Sequence, residues 1–159
     1  MSNITAVTIQ FNAQLIDSIA QLGQFIQLLE RERELLTTGE TEALLELAQS
    51  KQAASRRLQD AENARALMLS RNGQATDREG VMRFVSRNQE ALGTTWRRYQ
   101  DMARQANEMN RENGIYIREQ MRNNQQALAV LLTAAAPSLY DEDGLTPKRP
   151  GGSRFSDRA

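Results

Sequence analysis

The chain has 159 residues, 40% hydrophobic, 5% aromatic and 25% charged, with a formal net charge of zero, a length that suggests one domain of ordinary size. Cysteine and histidine are both absent, which excludes disulfides, thiolate nucleophiles, zinc sites built on Cys or His, and general-base histidines. Residues 1–136 carry 16 basic and 16 acidic side chains and residues 137–159 carry 4 of each, so neither nucleic acid nor an anionic membrane is an expected partner.

All three prolines lie at or after Pro137. Proline costs about 3 kcal/mol inside a helix, and the region before it is rich in Leu, Ala, Gln, Glu and Arg, with no alternating strand pattern. The first helix is expected from about Thr5 to Thr37. Leu15, Ile19, Leu22, Ile26, Leu29 and Leu36 form a four-three seam interrupted at Arg33, widened by Phe11, Ile16 and Phe25. Thr38-Gly39 ends it, because glycine readily adopts the left-handed conformation of a helix C-terminus.

A second helix is expected from Glu40 or Thr41 to about Ser70. Its seam reads Leu44, Leu47, Lys51, Ala54, Leu58, Ala61, Arg65 and Met68, with two cations at apolar positions. Thr76-Asp77-Arg78-Glu79 has the form of a capping box opening a short helix that bears Val81, Met82, Phe84 and Val85. Asn88 is positioned to cap the last and longest helix, about Gln89 to Ala136, roughly 70 Å at 1.5 Å per residue. Its seam runs Leu92, Trp96, Tyr99, Ala103, Ala106, Asn110, then Ile117, Met121, Leu128 and Leu132. Beside it lies a line of alternating charge: Arg97, Asp101, Arg104, Glu108 and Arg111.

Residues 137–159, rich in proline and glycine, bury too little to order themselves and are expected to be a flexible tail. The expected architecture is all-α: an elongated antiparallel helical bundle of three long helices plus one short helix over residues 1–136, with the end of the long final helix projecting. No stretch approaches the roughly 18 consecutive apolar residues of a membrane span, so no membrane insertion is expected. The N-terminus lacks a basic n-region and an uninterrupted apolar core, so no signal peptide is expected and a cytoplasmic location is the default.

No catalytic site is legible. The acidic residues are scattered over helix surfaces, and there is no Walker-type loop, GxGxxG or nucleophile elbow. Asp141-Glu142-Asp143-Gly144 resembles part of a calcium loop, but Leu139 falls at its first ligand position and the closing glutamate is missing; no metal and no cofactor is expected. Eighteen arginines against two lysines alternate with acids, as solvated faces do, rather than forming an RNA-binding surface.

Three features invite a role. Lys51 and Arg65 either cover the seam's edge with their alkyl stems, the reading preferred on the sequence, or hydrogen-bond a facing helix or a partner's carboxylate. Asn110 and Asn113 fall where core residues belong, and Gly114 sits mid-helix; a buried asparagine fixes register between helices, and a glycine admits close approach or a bend. Leu128, Val130, Leu131, Leu132, Leu139 and Tyr140 either fold back on the first helix or form an exposed apolar binding patch, with Tyr140 an amphipathic anchor in a mobile segment.

The chain resembles the FlgN family of flagellar export chaperones. The specific match lies in Asn110-Arg111-Glu112-Asn113-Gly114, Arg122-Asn123-Asn124-Gln125-Gln126-Ala127-Leu128 and Leu139-Tyr140-Asp141-Glu142-Asp143-Gly144, with support from Leu28-Leu29-Glu30, Lys51 and Arg65. Asp141 stands where the family commonly has glycine, so no fixed turn is carried over there. The resemblance implies a helical, cytoplasmic, non-enzymatic protein. It implies binding to the C-terminal helices of hook-filament junction proteins of the FlgK and FlgL type, protection from premature assembly, and delivery to the flagellar type III export gate. On this reading Leu128, Leu131, Leu132 and Leu139 contact the cargo helix, Tyr140 in the tail contacts cargo or gate, and Asn110, Asn113 and Gly114 shape the bundle. The competing expectation is a structural coiled-coil or adaptor protein that self-associates through its helical seam.

Overall fold

The structure, a computed structural model, describes residues 2–134, which form four helices: α1 (Ser2–Thr38), α2 (Thr41–Arg71), α3 (Arg78–Arg87) and α4 (Gln89–Ala134). Three long helices and one short one are therefore present, with boundaries close to those the sequence predicts. The tail 137–159, the final residues of the expected last helix, Leu139 and Tyr140 lie outside the described residues. The chain divides after Tyr116 into two units.

In the first unit, α1 and α2 each end in a left-handed glycine, Gly39 (φ 73°) and Gly73 (φ 68°). The next amide in each case, Glu40 or Gln74, reaches back to Leu35 O (3.2 Å) or Leu69 O (2.9 Å), so the terminal carbonyls are satisfied as in a Schellman motif. The start of α3 differs from the expected capping box. Asp77, not Thr76, is the N-cap, and its carboxylate accepts from the Gly80 amide at 3.2 Å. The shift follows from space: a Cβ at Gly80 would collide with the Ala75 side chain and come within 2.9 Å of its carbonyl oxygen.

Asn88 also departs from expectation. Its carbonyl accepts the first α4 amides, Ala91 and Leu92, but its side chain does not cap that helix. The amide nitrogen instead donates to Phe84 O (2.8 Å), closing α3, and Oδ1 accepts from the Thr8 hydroxyl of α1 (3.0 Å). One residue thus ends α3, starts α4 and ties both to α1.

The hydrogen bonds between helices define their directions. Ser18 pairs with Arg65 and Glu32 with Lys51, so α1 and α2 are antiparallel. Thr8 meets Asn88 and Arg33 meets Asn113, both at a sequence separation of 80, so α1 and α4 run parallel and hold one register over about 37 Å.

Two apolar clusters fill this unit. In one, Phe11, Leu15, Leu69 and Leu92 are fully buried with Phe84 and Val85; the Phe11 and Phe84 rings meet edge-on at 5.2 Å, the preferred aromatic geometry. In the other, Leu22, Ile26 and Leu29 of α1 pack against Ala54 of α2 and Ala106 of α4. The predicted α2 seam is correct at every position: Ala54, Arg65 and Met68 are buried and Leu44, Leu47, Lys51, Leu58 and Ala61 half-buried. On α1 the seam needs three corrections. Ile16 is 53% exposed, Ser18 rather than Ile19 is buried, and Glu32 rather than Arg33 lies inside. The buried line keeps a seven-residue repeat, Leu15, Leu22, Leu29 and Leu36 with Ser18, Phe25 and Glu32 between them, but its steps run three-four where the expected seam ran four-three.

Candidate functional site

The second unit contributes residues 117–134 of α4 to the described structure. Every residue from Arg118 to Thr133 is exposed. The segment begins with charge (Arg118, Glu119, Arg122), passes through the amides Asn123 to Gln126, and ends in Ala127-Leu128-Ala129-Val130-Leu131-Leu132-Thr133-Ala134, which carries no charge. Met121, Leu128, Leu131 and Leu132 share one helix face by their seven-, three- and four-residue spacing, and they are 58%, 60%, 64% and 71% exposed. Val130, also exposed, lies on the far side. Leucine is favoured in water only when something covers it, burial of each being worth about 1.5 to 3 kcal/mol. Exposed apolar stripes are a common form of binding surface.

The other sequence-selected residues lie in the first unit. Asn113 is 1% exposed and fully engaged: Nδ2 donates to Leu29 O and to Glu32 Oε2, both at 2.9 Å, and Oδ1 accepts from Arg33 Nε at 3.1 Å. Glu32 is itself buried, and Lys51 Nζ reaches both its oxygens at 3.1 Å. Arg33 continues outward to Glu112 at 2.7 Å. Asn113 therefore joins α1 and α4, and Lys51 adds α2. Asn110 is exposed, contrary to its assigned place on the seam, and Gly114 is half-buried. The geometric reason is the order of steps: after Ala106 the inward face steps by three to half-buried Met109 and then by four to Asn113, rather than by four to Asn110.

A second polar layer separates the two apolar clusters. Arg65, 6% exposed, donates to Ser18 Oγ at 3.0 Å and to the Tyr99 hydroxyl at 2.9 Å, and its guanidinium carbon lies 4.7 Å from the Tyr99 ring centre. Both seam cations are thus hydrogen-bonded to facing helices, which overturns the preferred reading that they merely cover the seam's edge. Sequence reasoning missed their partners Ser18, Glu32 and Tyr99 as polar-layer residues. The signal was present: Ser18 lies three after Leu15 and four before Leu22, and Glu32 lies three after Leu29 and four before Leu36.

On the outer surface Arg104 and Asp101 approach at 3.6 Å, and Arg111 pairs with Glu108. The hydrogen bond and the charge of Arg111 hold the Glu108 carboxyl below its ordinary value, and Glu108 raises Arg111. Among the described residues no cluster of His, Cys, Asp or Glu could hold a metal ion. No helix of the described residues is long and apolar enough to cross a membrane. Leu128, Leu131 and Leu132 are thus brought together on one exposed face, and Asn113 is placed in the bundle interior away from solvent.

The model of one protein family, described as FlgN protein, matches residues 6–148. Neither a curated protein nor a solved structure matches the chain.

Proposed function

The chain belongs to the FlgN family, and from that premise we propose that it captures the C-terminal helices of hook-filament junction proteins of the FlgK and FlgL type on the apolar face of α4. Flagellar export chaperoning, rather than catalysis, is the general role of this family. The observation that carries the finer reading is the exposure of Leu128, Leu131 and Leu132 on one face of an uncharged helical stretch. An amphipathic cargo helix laid along that face buries both apolar stripes, the usual mode of helix recognition. Covering the cargo helix in the cytoplasm blocks the contacts it makes in the assembled junction, and Leu139 and Tyr140 in the tail add to the clamp, with Tyr140 facing cargo or the export gate.

The test is calorimetry of the full chain and of Leu131→Asp with peptides from the C-termini of junction proteins. The aspartate replaces a leucine that the cargo helix covers in the complex and sets a charge in an apolar contact, a loss of about 3 kcal/mol, or on the order of a hundredfold in Kd. Helix content by circular dichroism is expected to stay unchanged. Undiminished peptide binding by Leu131→Asp removes this face from the cargo site. Absence of peptide binding together with stable self-association by light scattering favours the adaptor instead.

A further inference from the structure

We propose that the cleft beside Arg65 is a binding site for a carboxylate carried next to an apolar side chain. The two seam cations differ in one respect. Lys51 has both oxygens of a buried carboxylate. Arg65 is more deeply buried, yet its bonds go only to two neutral hydroxyls, and no carboxylate among the described residues lies within ion-pair distance of it. A guanidinium has five N–H donors, and these two bonds use two of them. A buried cation without a counter-charge is costly to keep, so it belongs where an anion arrives.

Arg65 borders a cleft of about 340 Å³, near the lower limit of small-ligand pockets and large enough for one amino-acid side chain with a carboxylate. Arg78 stands exposed at the rim as a second cation, and Trp96, Tyr99 and Met82 supply an aromatic and apolar wall. Glu62 lines the same cleft from an exposed position and makes no ion pair with Arg65. A carboxylate fits the guanidinium fork in a bidentate, charge-assisted pair, and the neighbouring apolar group packs on the wall. The chemistry suits either a peptide's terminal carboxylate or an acidic side chain beside an apolar one. The site lies within residues 11–100 and uses none of the leucines of α4, so it stands or falls apart from the cargo surface.

Trp96 is the chain's single tryptophan and lines the cleft, so its fluorescence reports occupancy directly. The full chain is titrated with acetyl-Ala-Leu bearing a free carboxylate, with the same peptide amidated, and with acetyl-Glu-Leu-amide. At least one carboxylate-bearing peptide is expected to bind tenfold or more tightly than acetyl-Ala-Leu-amide. Preference for the free acid alone assigns a terminal carboxylate, and binding of the glutamate peptide assigns a side chain. Arg65→Gln is expected to abolish the preference. Arg78→Gln, an exposed change that leaves the core intact, is expected to weaken the carboxylate peptide three- to tenfold and leave the amide unaffected. Binding of neither carboxylate-bearing peptide more tightly than acetyl-Ala-Leu-amide, or a carboxylate preference unchanged in Arg78→Gln, overturns the proposal.

Discussion

Two stretches of α4 invert one another. Between Gln89 and Tyr116 the helix turns its charges outward and buries a polar residue, Asn113; between Arg118 and Thr133 it leaves its largest apolar residues, Leu128, Leu131 and Leu132, in solvent. The buried asparagine has a partner for each of its polar atoms within the chain, so it specifies register at modest cost. The exposed leucines belong to a stretch without a single charge, where solubility alone would favour one. A polar group placed inward is completed by the fold, whereas an apolar face placed outward is completed by a partner. Under the proposed function the same helix serves architecture in its first part and recognition in its last.

The sharpest way to break that comparison is to make one truncation in each kind of place. Leu29, fully buried in α1 behind the Asn113 layer, is expected to lose about 3 kcal/mol of unfolding free energy on change to alanine. Leu131→Ala is expected to stay within about 0.5 kcal/mol. Urea unfolding followed by helix signal measures both. A large loss at Leu131 would mean that its side chain is covered within the free protein, and the recognition role of this face would fail with it.

A smaller effect sharpens the polar side. Lys51→Met leaves the Glu32 carboxylate buried without its cation, and because the lysine side chain is 23% exposed, the loss is expected at about 2 kcal/mol rather than the full cost of breaking a buried pair. Adding Glu32→Gln is expected to recover most of it, to within about 1 kcal/mol of the parent, since the neutral amide needs no counter-charge. No recovery in the double variant would show that Lys51 acts through its alkyl stem and not through Glu32.

Most of the helical plan was legible because proline and glycine punctuate it and the α2 seam repeats without fault. What the sequence concealed depends on the order of three- and four-residue steps along a seam and on choice of partner. Ile19 and Arg33 continue a four-three spacing, but Ser18 and Glu32 complete a three-four spacing on the same leucines, and those are the residues buried. Asn110 and Asn113 look equivalent in a list of seam positions, and only three-dimensional register decides that one is exposed and the other buried. Thr76 and Asn88 have good capping side chains, yet Asp77 takes the cap because Gly80 gives it room, and Asn88 is claimed by Phe84 and Thr8. The leucines of α4 were visible as a group, but periodicity alone left their coverage open, because an apolar face has the same pattern whether it meets its own chain or another.

The smallest expected effect lies on the solvated face of the first stretch of α4, where Glu108 and Arg111 pair with 56% and 61% of their side chains exposed. Arg111 lowers the Glu108 carboxyl from its ordinary 4.5 through a hydrogen bond and its charge. A carboxyl whose folded value is depressed contributes stability above its unfolded value and loses that contribution as pH falls through the folded one. Water and salt screen so exposed a pair, so Arg111→Gln is expected to leave the unfolding midpoint in urea nearly unmoved at neutral pH. The clearer readout is the Glu108 carboxyl carbon by NMR, whose titration midpoint is expected to rise toward 4.5 in the variant and, in the parent, on addition of salt. A midpoint that does not move in Arg111→Gln would mean that the pair does not form in solution. The charged face would then be held by hydration alone, and the contrast with Asn113, whose polar atoms are answered within the chain, would widen.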